Sequence, residues 1–182
     1  MRGLSLIAHG RTALVLAATL SLVACDKGQG GGASSAGDSK HPLIGSPAPD
    51  FDLPAQSGGP RATLAAASGK VALVDFWATW CEPCRASFPH YEALKKKFDG
   101  DVVVVGISED DDPEGIKAFA TETGATFPLA WDANKNVAAG YHPESMPTSF
   151  LVDKNKLVRF VHGGFRPGDE SVIEDQVKEL LK

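Results

Sequence analysis

The sequence predicts an α/β domain, and three observations support this. The apolar run 71–77 ends just before a segment with Phe88, Tyr91, Leu94 and Phe98 at helical spacing, so a strand feeds a helix. A second apolar run, 102–108, is continuous enough for a strand buried on both faces and should lie parallel to the first through a right-handed crossover. Further on, residues 149–152 and 157–161 flank a turn at 153–156 as a hairpin, and Val172, Ile173, Val177, Leu180 and Leu181 mark a closing amphipathic helix.

In chain order, residues 42–65 are punctuated by Pro and Gly, with short extended pieces near 50–53 and 61–64. The strand 71–77 leads to a helix at about 82–98, supported by a Glu92/Lys96 pair one turn apart. After the strand 102–108, Asp112-Pro113-Glu114 supplies an N-cap, an N1 proline and a first-turn acid for a helix carrying Ile116, Phe119 and Ala120. Residues 127–131 read as a short strand and 134–141 as a short helix. No internal repeat is visible. The length from residue 42 onward suits one domain with a proper core.

The chemistry lies in Trp80-Cys81-Glu82-Pro83-Cys84-Arg85, where the strand has ended and the helix opens. Cys81 is expected at the helix N-terminus, where unpaired N–H groups and the helix dipole favour an anion. There a thiol pKa falls from about 8.5 to somewhere around 3.5–7.5, giving the thiolate that attacks disulfides. Cys84 follows one turn later, close enough to attack the mixed disulfide that Cys81 would form. Pro83 lies in the first turn, where no N–H is needed. A structural zinc site normally takes four ligands, and the chain has only 3 cysteines. Redox exchange is therefore the reading for the pair, with no resident metal and no bound cofactor. Glu82 beside Cys81 disfavours a strongly stabilised thiolate, which points to a reductant. Two alternatives stay open: a disulfide-forming oxidant, and a copper-binding assembly factor using Cys81, Cys84 and His142, since two thiolates suit Cu(I). A peroxidase would need a Pro-x-x-x-Thr-x-x-Cys pocket, which the chain lacks.

The first residues read as export machinery. Arg2 and Arg11 form a basic start, and residues 12–24 are an apolar stretch too short to span a bilayer comfortably. Leu22-Val23-Ala24-Cys25 resembles the lipobox of bacterial lipoproteins, which implies a signal peptide at 1–24 and lipidation of Cys25. Asp26 resembles the inner-membrane retention residue of enteric lipoproteins. Residues 25–41 are then a lipidated cysteine with a Gly- and Ser-rich tether, and 42–182 form the domain. The expected location is the cell envelope, on the periplasmic face of the inner membrane. The formal net charge of −5 grows more negative once Arg2 and Arg11 are removed, which argues against a nucleic-acid partner.

Trp77-Ala-Thr-Trp-Cys-Glu-Pro-Cys-Arg85, joined to Met146-Pro147-Thr148 before the hairpin, resembles the thioredoxin superfamily. The extra helix and strand between 109 and 145 make the chain similar to its TlpA/ResA-type branch of membrane-tethered thiol–disulfide oxidoreductases. That resemblance implies a thioredoxin-like fold, a central mixed β-sheet flanked by helices, with Pro147 cis and facing the two sulfurs. Cys81 would be the nucleophile and Cys84 the resolving thiol. Trp80, Met146, Pro147 and Thr148 would meet the substrate. It also implies cysteine-containing client proteins, of the kind used in cytochrome c maturation or copper-centre assembly, and a membrane electron donor that re-reduces the pair. A monomer is the expected working form.

The branch pattern resembles C-x-P-C-R-x-E-x-P, but here Ser87 stands at the acidic position. Asp75, on the strand six residues before Cys81, is the candidate replacement as proton acceptor for Cys84. The strand 102–108 offers it no lysine, so its pKa should be raised. Trp77 reads as core, His90 as a surface or packing residue, and the acidic run 109–112 as a solvated, helix-capping loop.

Overall fold

A computed structural model describes residues 40–182. The expected signal peptide, Cys25 and all but the last two residues of the tether lie outside the described residues. A two-stranded antiparallel ribbon, β1 (Asp52–Leu53) with β2 (Ala62–Thr63), passes through a 3₁₀ turn at Leu64–Ala67 into β3 (Val71–Trp77). Then come α1 (Glu82–Lys97), β4 (Val102–Ser108), α2 (Ile116–Thr123), β5 (Leu129–Trp131), α3 (Asn136–Tyr141), β6 (Thr148–Val152), β7 (Val158–Gly163) and α4 (Asp169–Leu181). The main sheet is mixed and runs β5-β4-β3-β6-β7. Strands β3, β4 and β5 are parallel, and β6 is antiparallel to both β3 and β7.

All seven residues of β3 are buried, which explains its unbroken apolar run: as the middle strand it is covered on both faces. Successive side chains point to opposite faces, so one strand feeds two cores. Val71, Leu73 and Trp77 join the layer under α1, α2 and α4, with Phe88, Phe119 and Val177. Ala72, Val74 and Phe76 join the other layer, with Phe51, Tyr141 and Phe150. Gly106 on β4 sits where a larger residue would not fit. A Cβ there would lie 2.6 Å from Leu129 Cδ2 and 3.0 Å from Trp77 Nε1.

Two expectations need correcting. The helix α2 begins at Ile116, not at Asp112-Pro113-Glu114. The Asp112 carboxylate instead accepts the Glu114 N–H at 2.8 Å, closing a turn, and Gly115, at φ 86°, redirects the chain into the helix. A left-handed conformation of this kind costs glycine nothing. The acidic run 109–112, in turn, is not uniformly solvated, because Asp110 is buried. His41, next to the expected start of the domain, is 5 % exposed and packs edge-on against Phe150.

Candidate active site at the Cys81–Cys84 pair

Cys81 is the N-cap of α1, in extended backbone (φ −85°, ψ 106°), and its Sγ accepts the Cys84 N–H at 3.2 Å. The sulfur thus occupies the place usually held by a capping oxygen, facing the orphan amides of the first turn. Cys81 and Cys84 form a disulfide with Cα atoms 5.3 Å apart. Cys84 is fully enclosed and Cys81 is 3 % exposed, while the neighbouring Trp80 is 71 % exposed. Pro89, inside α1, has no N–H to return to the Arg85 carbonyl.

The turn that carries Trp80 and Cys81 is held from both sides. The Thr79 N–H donates to both Asp110 carboxylate oxygens, at 3.1 and 3.0 Å, and the Thr79 hydroxyl donates to Oδ1 at 2.9 Å. Ser108 Oγ donates to Oδ2 at 2.7 Å. From the helix side, Arg85 donates to the Thr79 carbonyl at 3.1 Å, lies 4.8 Å over the Phe119 ring and pairs with Glu122. Sequence reasoning missed Asp110. Its only signal was position, two residues past Ser108, whose hydroxyl hydrogen bond it accepts.

Asp75 is fully buried, opposite Gly106 on one side and Ser149 on the other. The Ser149 hydroxyl donates to Oδ1 at 2.8 Å and in turn meets the Tyr91 hydroxyl at 2.6 Å, whereas Oδ2 has no partner. Burial pushes the carboxyl up from 3.8 to about 8, with the nearby hydroxyls of Ser149 and Tyr91 pulling only partly the other way. The same burial, and then the charge of Asp75, hold the Tyr91 phenol well above its ordinary value. Ser87, in the position where the resemblance implies glutamate, donates to the Cys84 carbonyl at 3.0 Å and lies beside the Tyr91 hydroxyl. Tyr91 and Ser149 were not singled out from sequence as polar partners. Tyr91 read as core, and the pairing register that sets Ser149 opposite Asp75 is a tertiary fact.

The Met146–Pro147 peptide is cis. Thr148 opposes Phe76, so this loop lies at the end of the sheet where β3 delivers the chain toward Cys81. Met146 packs against the same buried cluster that contains Cys81 and Cys84. Thr148 Oγ1 donates to the Ser145 carbonyl at 2.6 Å, and the Pro147 carbonyl accepts the Gly164 N–H at 2.7 Å. His142 is exposed at the end of α3, with its carbonyl accepting from His41 Nε2 at 3.1 Å. Among the described residues no group of three or more His, Cys, Asp or Glu is placed to hold a metal ion, so His142 is not brought to the sulfurs as a third ligand. His90 is exposed, its ring 5.5 Å from that of Phe165.

Residues 44–161 match the model of the AhpC/TSA family. The chain belongs to that family. Within it, the chain is similar to the thiol–disulfide oxidoreductase ResA of Bacillus subtilis, at 33 % identity over 140 residues, covering 76 % of this chain and 75 % of ResA. It is similar also to the thioredoxin-like protein YneN of the same organism, at 37 % over 123 residues, with 66 % and 71 % covered. Among solved structures, a Chlorobium tepidum protein assigned as thiol:disulfide interchange protein DsbE superposes with a TM-score of 0.71 at 36 % identity, over 76 % of this chain and 98 % of its own. The fold is thioredoxin-like, and this AhpC/TSA-family member is a thiol–disulfide oxidoreductase working through its Cys-x-x-Cys pair.

Proposed function

We propose that the enzyme reduces disulfides in cysteine-containing client proteins of the cell envelope, held by a lipid on Cys25 to the periplasmic face of the inner membrane. The observation that carries the reaction is the placement of the pair. Cys81 Sγ faces the first-turn amides of α1, and the enclosed Cys84 stands one turn behind it. In the reduced enzyme the Cys81 thiolate attacks one sulfur of the client disulfide, and the other client sulfur leaves as a thiolate that takes a proton from water. Cys84 then attacks Cys81 Sγ, the bond from Cys81 to the client breaks, and the second client sulfur leaves as a thiolate that also takes a proton from water. The client gains two electrons and the enzyme ends with the Cys81–Cys84 disulfide.

The thiol proton of Cys84 passes to Asp75, whose Oδ2 is buried and unpartnered. With its pKa near 8, Asp75 is mostly protonated at neutral pH in the disulfide state. On re-reduction by a membrane electron donor it returns that proton to the departing Cys84 thiolate. Trp80 and the Met146-Pro147-Thr148 loop form the surface on which clients dock. The similarity to ResA and DsbE supports thiol–disulfide exchange with clients, and the clients we propose are those whose cysteines must be free for haem attachment or for building a copper centre.

Cys84→Ser should trap clients on Cys81 as mixed disulfides, and Cys81→Ser should abolish both trapping and turnover. Mass spectrometry of the trapped adducts names the clients. Equal trapping by both variants would overturn the two sulfur roles. A pair found oxidised in the living cell, with client disulfides lost when the gene is deleted, would reverse the proposed direction.

A further inference from the structure

We propose that Ser149, oriented by Tyr91, is a positioning residue that holds Asp75 ready to take the Cys84 proton. The inference rests on the reading of Asp75 as proton acceptor and adds to it the device that makes a fully buried carboxylate usable.

Among the described residues, the elements packed around Asp75 bring no cation to it. From β4 it is faced by Gly106, which has no side chain. From β6 it meets Ser149, and beyond that, on β7, His162 stands opposite Ser149. His162 is buried, its Nε2 on Gln176 Oε1 at 2.7 Å and its Nδ1 without a partner. Burial holds its imidazole below the ordinary pKa, although the charge of Asp169 on α4 pulls the other way. It therefore stays neutral at pH 7 and brings no positive charge to the row. From α1 come Tyr91 and, beside it, Ser87, and the apolar cluster on this face of the sheet holds Cys84, Ile173 and Val177. Ionised Asp75 is thus stabilised by hydrogen bonds alone.

Proton counting fixes the direction of those bonds. An ionised carboxylate only accepts, so the single Ser149 proton goes to Oδ1 at 2.8 Å. The 2.6 Å contact between Tyr91 and Ser149 must then be donated by the phenol, whose raised pKa keeps its proton in place. Two O–H dipoles in series point at Oδ1, where the low local dielectric strengthens each. Because Oδ1 is engaged, the oxygen left to receive a proton is Oδ2. Removing Ser149 Oγ takes away both effects: the carboxylate is harder to ionise, and neither oxygen is held.

The test is a rapid-mixing measurement on the full chain. Reduced enzyme is mixed with an excess of a small peptide disulfide, and the resolving step is followed by tryptophan fluorescence from pH 6 to 10. A hydrogen bond to a buried charge favours ionisation by roughly tenfold or more. Ser149→Ala should therefore move the midpoint of the pH–rate profile up by about one unit and slow resolution at pH 7 about tenfold, with the alkaline plateau nearly kept. Tyr91→Phe should shift it the same way by less, and Ser149→Thr, which keeps the hydroxyl, should restore the native profile. In an Asp75→Asn background Ser149→Ala should change nothing further. If Asp75→Asn alters the profile but Ser149→Ala and Tyr91→Phe leave it in place, the positioning role is overturned and the acceptor role stands. If Asp75→Asn itself has no effect, the acceptor role fails first. Should Ser149→Ala not fold, the Tyr91→Phe midpoint decides.

Discussion

Replacing Asp75 by Asn should make the domain more stable at pH 8 than the native chain, and the gain should shrink steadily toward pH 5. The cause is the gap between the ordinary carboxyl value of 3.8 and the value of about 8 that burial imposes. Between those limits the folded chain keeps a proton that the unfolded chain has given up. Stability contributed by protonated Asp75 is therefore fully present below pH 3.8 and is lost as pH rises through 8. Each pH unit in that window costs about 1.4 kcal/mol, so the loss from pH 5 to pH 8 is roughly 4 kcal/mol. Against the 5–15 kcal/mol typical of a domain, that is large. Other groups also titrate. Glu109, with a raised pKa, acts in the same sense. His162, with a lowered one, acts in the opposite sense, because below about pH 6.5 the unfolded imidazole takes up a proton that the folded one refuses. Both are common to the two proteins and cancel in the difference. Urea unfolding of the oxidised native chain and of Asp75→Asn, compared at half-unit steps from pH 5 to 9, isolates the Asp75 contribution. A difference in unfolding free energy that stays constant across the series would refute the claim that Asp75 holds its proton to about pH 8.

Asp110→Ala should strand the Thr79 N–H and the Ser108 hydroxyl, costing about 1–3 kcal/mol of stability and slowing client attack by Cys81; urea titration and a disulfide-reduction assay read the two effects. Gly106→Ala should force its Cβ against Leu129 and Trp77, with a loss of about 1–3 kcal/mol and a changed Trp77 emission. Cys25→Ser should move the protein from the membrane pellet to the soluble fraction, and retention in the pellet would count against a lipid anchor.

Much of the fold could be read from the chain because its decisive elements are local. β3 and β4 have the predicted bounds, 71–77 and 102–108, since an uninterrupted apolar run is itself the sign of a strand covered on both faces. The Cys-x-x-Cys chemistry was equally legible, because strand end, helix start and both thiols sit within a few residues. The raised pKa of Asp75 followed from the missing lysine. What escaped was set by packing across the sheet. Asp110 looked like its acidic neighbours until β4 carried it beneath Thr79. Ser149 looked like any hairpin residue until register put it against Asp75. The start of α2 was misplaced because Asp112 closes a turn of its own, a competing use of the same side chain.

The double hold on Thr79 has a consequence for traffic. Asp110 and Arg85 grip the turn through its peptide and hydroxyl, and no bond among them involves sulfur. The hold on the platform bearing Trp80 therefore runs through groups other than the S–S bond. A redox partner docking at Trp80 would rest on a turn held by side chains other than the two that react.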